Sequence, residues 1–217
     1  MLRLAIFDLD GTLKEARDPY VYLHSRLGTL AASEAFFSDG FAGKISYSEW
    51  LRLDAALWKG TPVAAIQALF RENPYLPGAV ETVRALKRHG VRLALVSTGI
   101  QIQAEMVAEE LGFDHVFCNY VYATDGVING ETRVGVPEGG KGAIVESLLA
   151  EFGVAPADAL AVGDTRSDAD MFRRVGVSIA VCPSHDSVRQ AASLVLEQPD
   201  LTPIVPYLVS RGYLPGL

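Results

Sequence analysis

From residue 80 onward the chain alternates between two periods. Apolar residues recur at helical spacing over 80–89 and stop at Gly90, and the apolar run 91–96 follows as a strand. Helical stretches at 100–111 and 141–152 end at Gly112 and Gly153. A strand at 159–162, a short helix at 169–175 and a strand at 177–181 complete the series. Glycine just past the last periodic residue is a helix stop, because it enters the left-handed region without steric cost. Strands joined through helices run parallel, since a parallel pair needs a crossover connection. Such a sheet carries helices on both faces and buries its strands completely. Leu4-Ala5-Ile6-Phe7 reads as a further buried strand ahead of this series.

Two stretches break the rhythm. Residues 20–30, 46–58 and 62–70 read as helices with no strand among them. Ser46 with Glu49 fits a capping box, and Pro62 suits a first helical turn. Residues 14–76 are therefore expected to form a small helical insert after the first strand, hinged at 14–18 and 73–78. The expected core comprises 1–13 and 77–217. The second break lies between Tyr120 and Val136. Short β elements there, punctuated by Asp125-Gly126 and Asn129-Gly130, predict a ribbon with two tight turns beside the sheet. The apolar tail 201–217 is expected to dock on the sheet or on another subunit.

Bulk properties narrow the function. The chain has 217 residues, 49% of them hydrophobic, which is enough for a full core. The formal charge is −7 with no basic run, so nucleic acid and anionic membrane surfaces are excluded as partners. Cys118 and Cys182 are the only cysteines. They make no disulfide framework in a chain of this length and read as small buried hydrophobes. The first apolar run is too short for a signal-peptide core, and no stretch approaches transmembrane length. A cytoplasmic protein is expected, as a monomer or homodimer.

Chemistry gathers at strand ends. Asp8-Leu9-Asp10-Gly11-Thr12 follows the first strand. Two carboxylates two residues apart repel, so a cation is the natural way to keep both ionised. An EF-hand loop is excluded, because Thr12 and Leu13 stand where that pattern needs Asp or Asn and then Gly. Val96-Ser97-Thr98-Gly99 ends the next strand, offering a hydroxyl and the backbone N–H groups of Thr98 and Gly99 to an anion. Lys141 opens a helix, where a cation opposes the dipole unless it has an anion to bind. The run from Gly135 to Lys141 spells a near P-loop, but Gly142 replaces the hydroxyl residue that motif uses for magnesium. Asp164 follows the strand 159–162 and can reach a metal held by the first strand's carboxylates. Asp168 lies one helical turn further on.

In this order and spacing, the four motifs resemble those of the haloacid dehalogenase-like hydrolases, largely magnesium-dependent phosphatases. The resemblance implies a Rossmann-like α/β core whose helical insert is a cap over the site. It implies Asp8 as nucleophile, forming an aspartyl-phosphate, and Asp10 as the acid and base. Mg²⁺ would be held by the Asp8 carboxylate, the Asp10 backbone carbonyl and Asp164, and phosphate by Ser97, Thr98, Gly99 and Lys141. Asp168 would lie behind the metal and Lys141.

The branch most similar is that of the phosphoserine phosphatases, by Gly43-Lys44-Ile45-Ser46-Tyr47 within the insert and Pro77-Gly78-Ala79 after it. The substrate-reading positions depart from that branch. Where it has a Glu for the substrate ammonium this chain has Arg17, and where it has an Arg for the carboxylate this chain has Asp54. Either Arg17 and Asp54 pair with each other, or a one-turn shift brings Glu15, Asp18 and Arg52 into play. The expected activity is hydrolysis of a small phosphorylated metabolite. The alternatives are a phosphotransferase or phosphomutase of the same fold, or a non-catalytic phosphate-binding protein. A dehalogenase is disfavoured by Asp10 and Gly11-Thr12.

Overall fold

In the computed structural model, which describes residues 1–216, seven strands form one sheet in the order β4-β3-β2-β1-β5-β6-β7. The strands are β1 (Leu4–Phe7), β2 (Arg92–Ile100), β3 (His115–Thr124), β4 (Val127–Arg133), β5 (Ala159–Gly163), β6 (Val177–Val181) and β7 (Leu194–Leu196). All neighbours are parallel except β3 and β4. The α/β reading therefore holds.

Strand periodicity divides the core. Ala5 and Phe7 face helices α5 (Ala79–Arg88), α6 (Gln101–Leu111) and α9 (Ile204–Ser210), through Val83, Leu86, Val107, Ile204 and Leu208. Leu4 and Ile6 face α7 (Lys141–Phe152) and α8 (Asp168–Phe172), through Val145, Leu148, Met171 and Phe172. Each such buried aliphatic or aromatic side chain contributes roughly 1.5–3 kcal/mol. The tail thus docks on its own sheet, where the Leu2 amide also donates to the Tyr213 carbonyl at 2.9 Å. Leu217, the last residue of that expected tail, lies outside the described residues.

Helices α1 (Pro19–Leu27), α2 (Leu30–Phe41), α3 (Tyr47–Trp58) and α4 (Val63–Glu72) occupy the interval after β1. Sequence periodicity predicted three of them and not α2. Leu23, Leu51, Trp58, Ile66 and Phe70 form a third apolar cluster, seated on Ile100, Ile102, Val121 and Ile128. The chain enters and leaves this insert along adjacent paths, with the Leu76 amide donating to the Leu13 carbonyl at 2.9 Å and the Glu15 amide to the Pro74 carbonyl at 3.0 Å. Half of the expected capping box forms. The Glu49 amide donates to Ser46 Oγ at 3.2 Å, while the Glu49 carboxylate turns to Arg52. Pro62 stands as N-cap of α4, one residue before the expected first turn.

The predicted ribbon differs in two respects. It grows out of the main sheet, because β3 pairs with β2 before it pairs with β4. Only Asp125-Gly126 turns, both residues having positive φ as a tight hairpin needs. Asn129-Gly130 lies inside β4, where the register shifts between Val121 and Ala123 of β3. It is a bulge, an extra length of one strand absorbed by the pairing. Cys118 is buried as expected, but Cys182 is only partly so.

Candidate active site

Register brings the motifs together. Phe7 pairs with Leu95 on one side and with Val162 on the other. Asp8, Ser97 and Asp164 therefore emerge at one level, at the carboxyl edge where open parallel sheets bind ligands. Beyond Asp8 the chain turns tightly, with the Leu13 amide donating to the Leu9 carbonyl at 2.8 Å. Gly11 takes φ 75°, and a Cβ there would overlap Asp164 Oδ2. Glycine is required on both counts.

A buried ion cluster occupies this edge. Lys141 Nζ donates to Asp8 Oδ1 at 2.6 Å and to Asp168 Oδ1 at 2.7 Å. Lys141 is only 1% exposed, although it is the first residue of its helix. The two carboxylates supply the anions its position calls for. Asp168 Oδ2 accepts from the Asp164 amide at 3.0 Å and the Thr165 amide at 2.8 Å. Thr12 Oγ1 lies 3.2 Å from Asp8 Oδ2 and 3.3 Å from Asp164 Oδ1.

Asp10 faces away from this cluster. Its Oδ1 accepts from Gln103 Nε2 at 2.8 Å, and its Oδ2 accepts from Ser97 Oγ at 3.3 Å. Ser97 Oγ in turn accepts from the Gly99 amide at 2.8 Å. Helix α6 starts at Gln101, one residue later than sequence spacing predicted, so Thr98 and Gly99 still belong to the strand end.

Electrostatics single out the carboxyls. Burial pushes Asp8 up to about 6, against the opposing pull of Lys141. Burial, with Asp8 and Asp168 alongside, pushes Asp164 up to about 9. Burial and the neighbouring Asp8 hold Asp10 well above the usual carboxylate range. Burial alone would lower Lys141, but Asp168 and Asp8 hold it above its ordinary value.

The donor set fits a divalent cation. Oxygens of Asp8, Asp164 and Asp168 lie within 4.8 Å of one another. Asp164 Oδ2 is buried and accepts no hydrogen bond. Such an oxygen is costly unless a cation or proton meets it. Lys141 and two backbone amides hold both Asp168 oxygens, whereas Asp8 Oδ2 and Asp164 Oδ1 share only the Thr12 hydroxyl and Asp164 Oδ2 accepts no hydrogen bond, which leaves Asp8 and Asp164 as the better placed ligands. Oxygen donors of this kind suit Mg²⁺.

A cavity of about 1070 Å³ opens between the insert and the sheet edge, lined by Arg17, Tyr20, Tyr47, Trp50, Asp54 and Thr98 among others. Arg17 and Asp54 do not pair. Arg17 NH2 donates to the Cys182 carbonyl at 2.6 Å, and NH1 lies 3.9 Å from Asp164 Oδ2. Asp54 is held by His24 Nε2 at 2.9 Å. On the other side of the ring, His24 Nδ1 lies 2.7 Å from Thr29 Oγ1 and 3.2 Å from Trp58 Nε1, which fixes the imidazole against Asp54. Of the residues in the one-turn shift, Arg52 pairs with Glu49 and Glu15 is exposed, while Asp18 caps α1 through Oδ1 and lines the cavity.

Sequence reasoning missed several residues at this edge. Gln103 is buried against Asp10, and no motif marks it. Asn119 Nδ2 and the hydroxyls of Tyr20 and Tyr47 all donate to the Thr98 carbonyl, at 2.7, 2.9 and 3.2 Å. This knot ties the insert to the strand end beside Ser97.

Comparison with known proteins agrees with this geometry. The haloacid dehalogenase-like hydrolase family model matches residues 5–173. The chain is 29% identical over 207 residues to a phosphoserine phosphatase of Methanocaldococcus jannaschii, covering 95% of this chain and 97% of that one. It is 31% identical over 213 residues to the phosphoserine phosphatase SerB2 of Mycobacterium tuberculosis. That alignment covers 97% of this chain and spans about half of the relative, 51%. A solved phospho-aspartyl intermediate analogue of phosphoserine phosphatase superposes with a TM-score of 0.80 at 29% identity, covering 95% of this chain and 98% of that one.

Proposed function

The chain belongs to the haloacid dehalogenase-like hydrolases and is a phosphatase of that family; from this premise we propose that it hydrolyses a small phosphomonoester through an aspartyl-phosphate on Asp8, with Mg²⁺ as cofactor. One observation carries the reading. Asp8 has one oxygen 2.6 Å from the Lys141 ammonium, and the nearby Asp164 carboxyl keeps in Oδ2 an oxygen that accepts no hydrogen bond and has only Arg17 NH1 at 3.9 Å. A carboxylate nucleophile, a fixed cation and a cation slot are the parts phosphoryl transfer needs.

In this mechanism the Asp8 carboxylate attacks phosphorus and the bond to the alcohol oxygen breaks. The leaving oxygen takes its proton from Asp10. Water then attacks the phosphorus of the aspartyl-phosphate, giving a proton back to Asp10, and the bond to Asp8 breaks. Ser97, the amides of Thr98 and Gly99, and Lys141 hold the phosphoryl oxygens as charge shifts among them. Asp168 fixes Lys141. Mg²⁺, when held by Asp8, Asp164 and the Asp10 carbonyl, supplies positive charge that screens nucleophile from phosphate.

Residues 14–76 act as the cap and 1–13 with 77–217 as the core. The cap excludes water and shapes the site for the alcohol. The alcohol differs from serine in its charges. Arg17 at the cavity wall repels an ammonium and favours an anionic or hydroxyl-bearing leaving group. In this reading the enzyme works in the cytoplasm; among the described residues no helix is long and apolar enough to cross a membrane.

The test is phosphate release from a panel of phosphomonoesters, L-phosphoserine included, with and without Mg²⁺. Metal-dependent release by the wild type and none by Asp8→Asn is expected. Release that persists in Asp8→Asn would remove the aspartyl-phosphate from the mechanism.

A further inference from the structure

Gln103 is buried at 2% exposure on α6, beside a pocket that Lys14, Asn73 and Met106 also line, and its side-chain amide makes one hydrogen bond among the described residues. Nε2 donates to Asp10 Oδ1 at 2.8 Å, while Oε1 accepts nothing. A buried amide left half unsatisfied costs stability, so its placement calls for a reason other than packing. Asp10 Oδ2, by contrast, lies 3.3 Å from Ser97 Oγ and rests against Gly99, where a Cβ would stand only 2.7 Å away. The two carboxyl oxygens thus meet different surroundings.

The Gln103 amide can only donate to Oδ1 and so disfavours a proton there, whereas the Ser97 hydroxyl beside Oδ2 can rotate to accept from one. A proton carried by Asp10 then favours Oδ2, the oxygen on the Ser97 side where the phosphoryl group is to bind. We propose that Gln103 is a positioning residue that fixes which oxygen of Asp10 delivers the proton to the leaving alcohol. This rests on the proposed function, in which Asp10 is that proton donor. As the bond from phosphorus to the leaving oxygen breaks, the electron pair stays on that oxygen and the Oδ2 proton moves to it. Gln103 gives up nothing and holds the carboxyl from turning.

The experiment compares kcat/KM for two esters in the wild type, Gln103→Leu and Gln103→Met, all loaded with Mg²⁺. One ester is p-nitrophenyl phosphate, whose leaving group departs without a proton. The other is glycerol phosphate, whose alkoxide needs one. Since kcat/KM reports the steps through release of the alcohol, it isolates the proton-donor step. A misplaced acid should lower the glycerol phosphate value ~10–100-fold. The p-nitrophenyl phosphate value should stay within about threefold, which also shows the variants fold. The linear Met side chain keeps the test available if Leu packs badly. Equal losses on both esters, or no loss on either, overturn the role of Gln103 while leaving the enzyme's function intact. A wild type that releases phosphate from neither ester, nor from any other phosphomonoester of the panel, overturns the function itself, and this role with it.

Discussion

Lys141 Nζ lies 2.6 Å from Asp8 Oδ1, although the two residues are 133 positions apart in the chain. The contact joins the first strand to the start of α7 in the middle of the site. Lys141→Met would leave Asp8 and Asp168 buried without their cation. A stability loss of about 3–5 kcal/mol is expected in metal-free protein. Mg²⁺ should recover part of it, whereas phosphate release should fall by at least ~10²-fold. Denaturant titrations with and without Mg²⁺, beside activity assays, measure both. A variant as stable as the wild type without metal would contradict the ion cluster.

Gly11→Ala should weaken metal binding more than it weakens the fold. Its φ of 75° adds strain of about 1–2 kcal/mol for any other residue. The new methyl group would also press on Asp164 Oδ2, the oxygen left for a cation. Calorimetric Mg²⁺ titration should show a loss of affinity of tenfold or more. An unchanged affinity would mean that Asp164 does not ligate.

These two residues also show what was legible in the sequence. Lys141 stood out because a cation at a helix start needs an anion, and Gly11 belonged to a strand-end motif. Alternating periods gave the parallel sheet, since burying a strand and an amphipathic helix leaves few arrangements. Other features depend on partners that only folding supplies. Helix α2 has no side-chain cap at Thr29 and carries Gly40 near its end, so its local signal is weak. Asn129-Gly130 reads as a turn, yet the ladder with β3 absorbs it as a bulge. Asp54 lines the cavity as a residue that reads substrate would, but it does not pair with Arg17, because His24 from α1 holds it. Gln103 has no pattern to announce it, for its role depends on one contact with Asp10.

Metal and protons should compete at this site. Asp8 is pushed up to about 6 and Asp164 to about 9, both from an ordinary 3.8. Folding therefore favours their protonated forms. The resulting stabilisation is complete below 3.8 and is lost as pH rises through 6 and then 9. Metal-free protein should lose stability across that window, and saturating Mg²⁺ should flatten the loss. Mg²⁺ affinity should rise about tenfold per pH unit between roughly 6 and 9, with about one proton released from Asp164. Calorimetry in buffers of different ionisation heat counts that proton, and a pH-independent affinity would contradict the assignment.

Arg17 should select against an ammonium. L-Phosphoserine and 3-phosphoglycerate of the same configuration differ only by an ammonium in place of a hydroxyl. The wild type should favour 3-phosphoglycerate by about tenfold or more in kcat/KM, since like charges at a site cost several kcal/mol. Arg17→Gln should narrow the gap. A preference for L-phosphoserine in the wild type would mean that Arg17 does not face the substrate.

The central claim is a covalent bond between phosphorus and Asp8, and acid-quench trapping tests it most directly. Protein mixed with Mg²⁺ and a ³²P-labelled phosphomonoester that it turns over is quenched within the first turnover, reduced with borohydride and digested. The account predicts label retained on protein before reduction, homoserine in place of Asp8 after it, and neither in Asp8→Asn. Turnover with no trapped label, or with label on another residue, would contradict it.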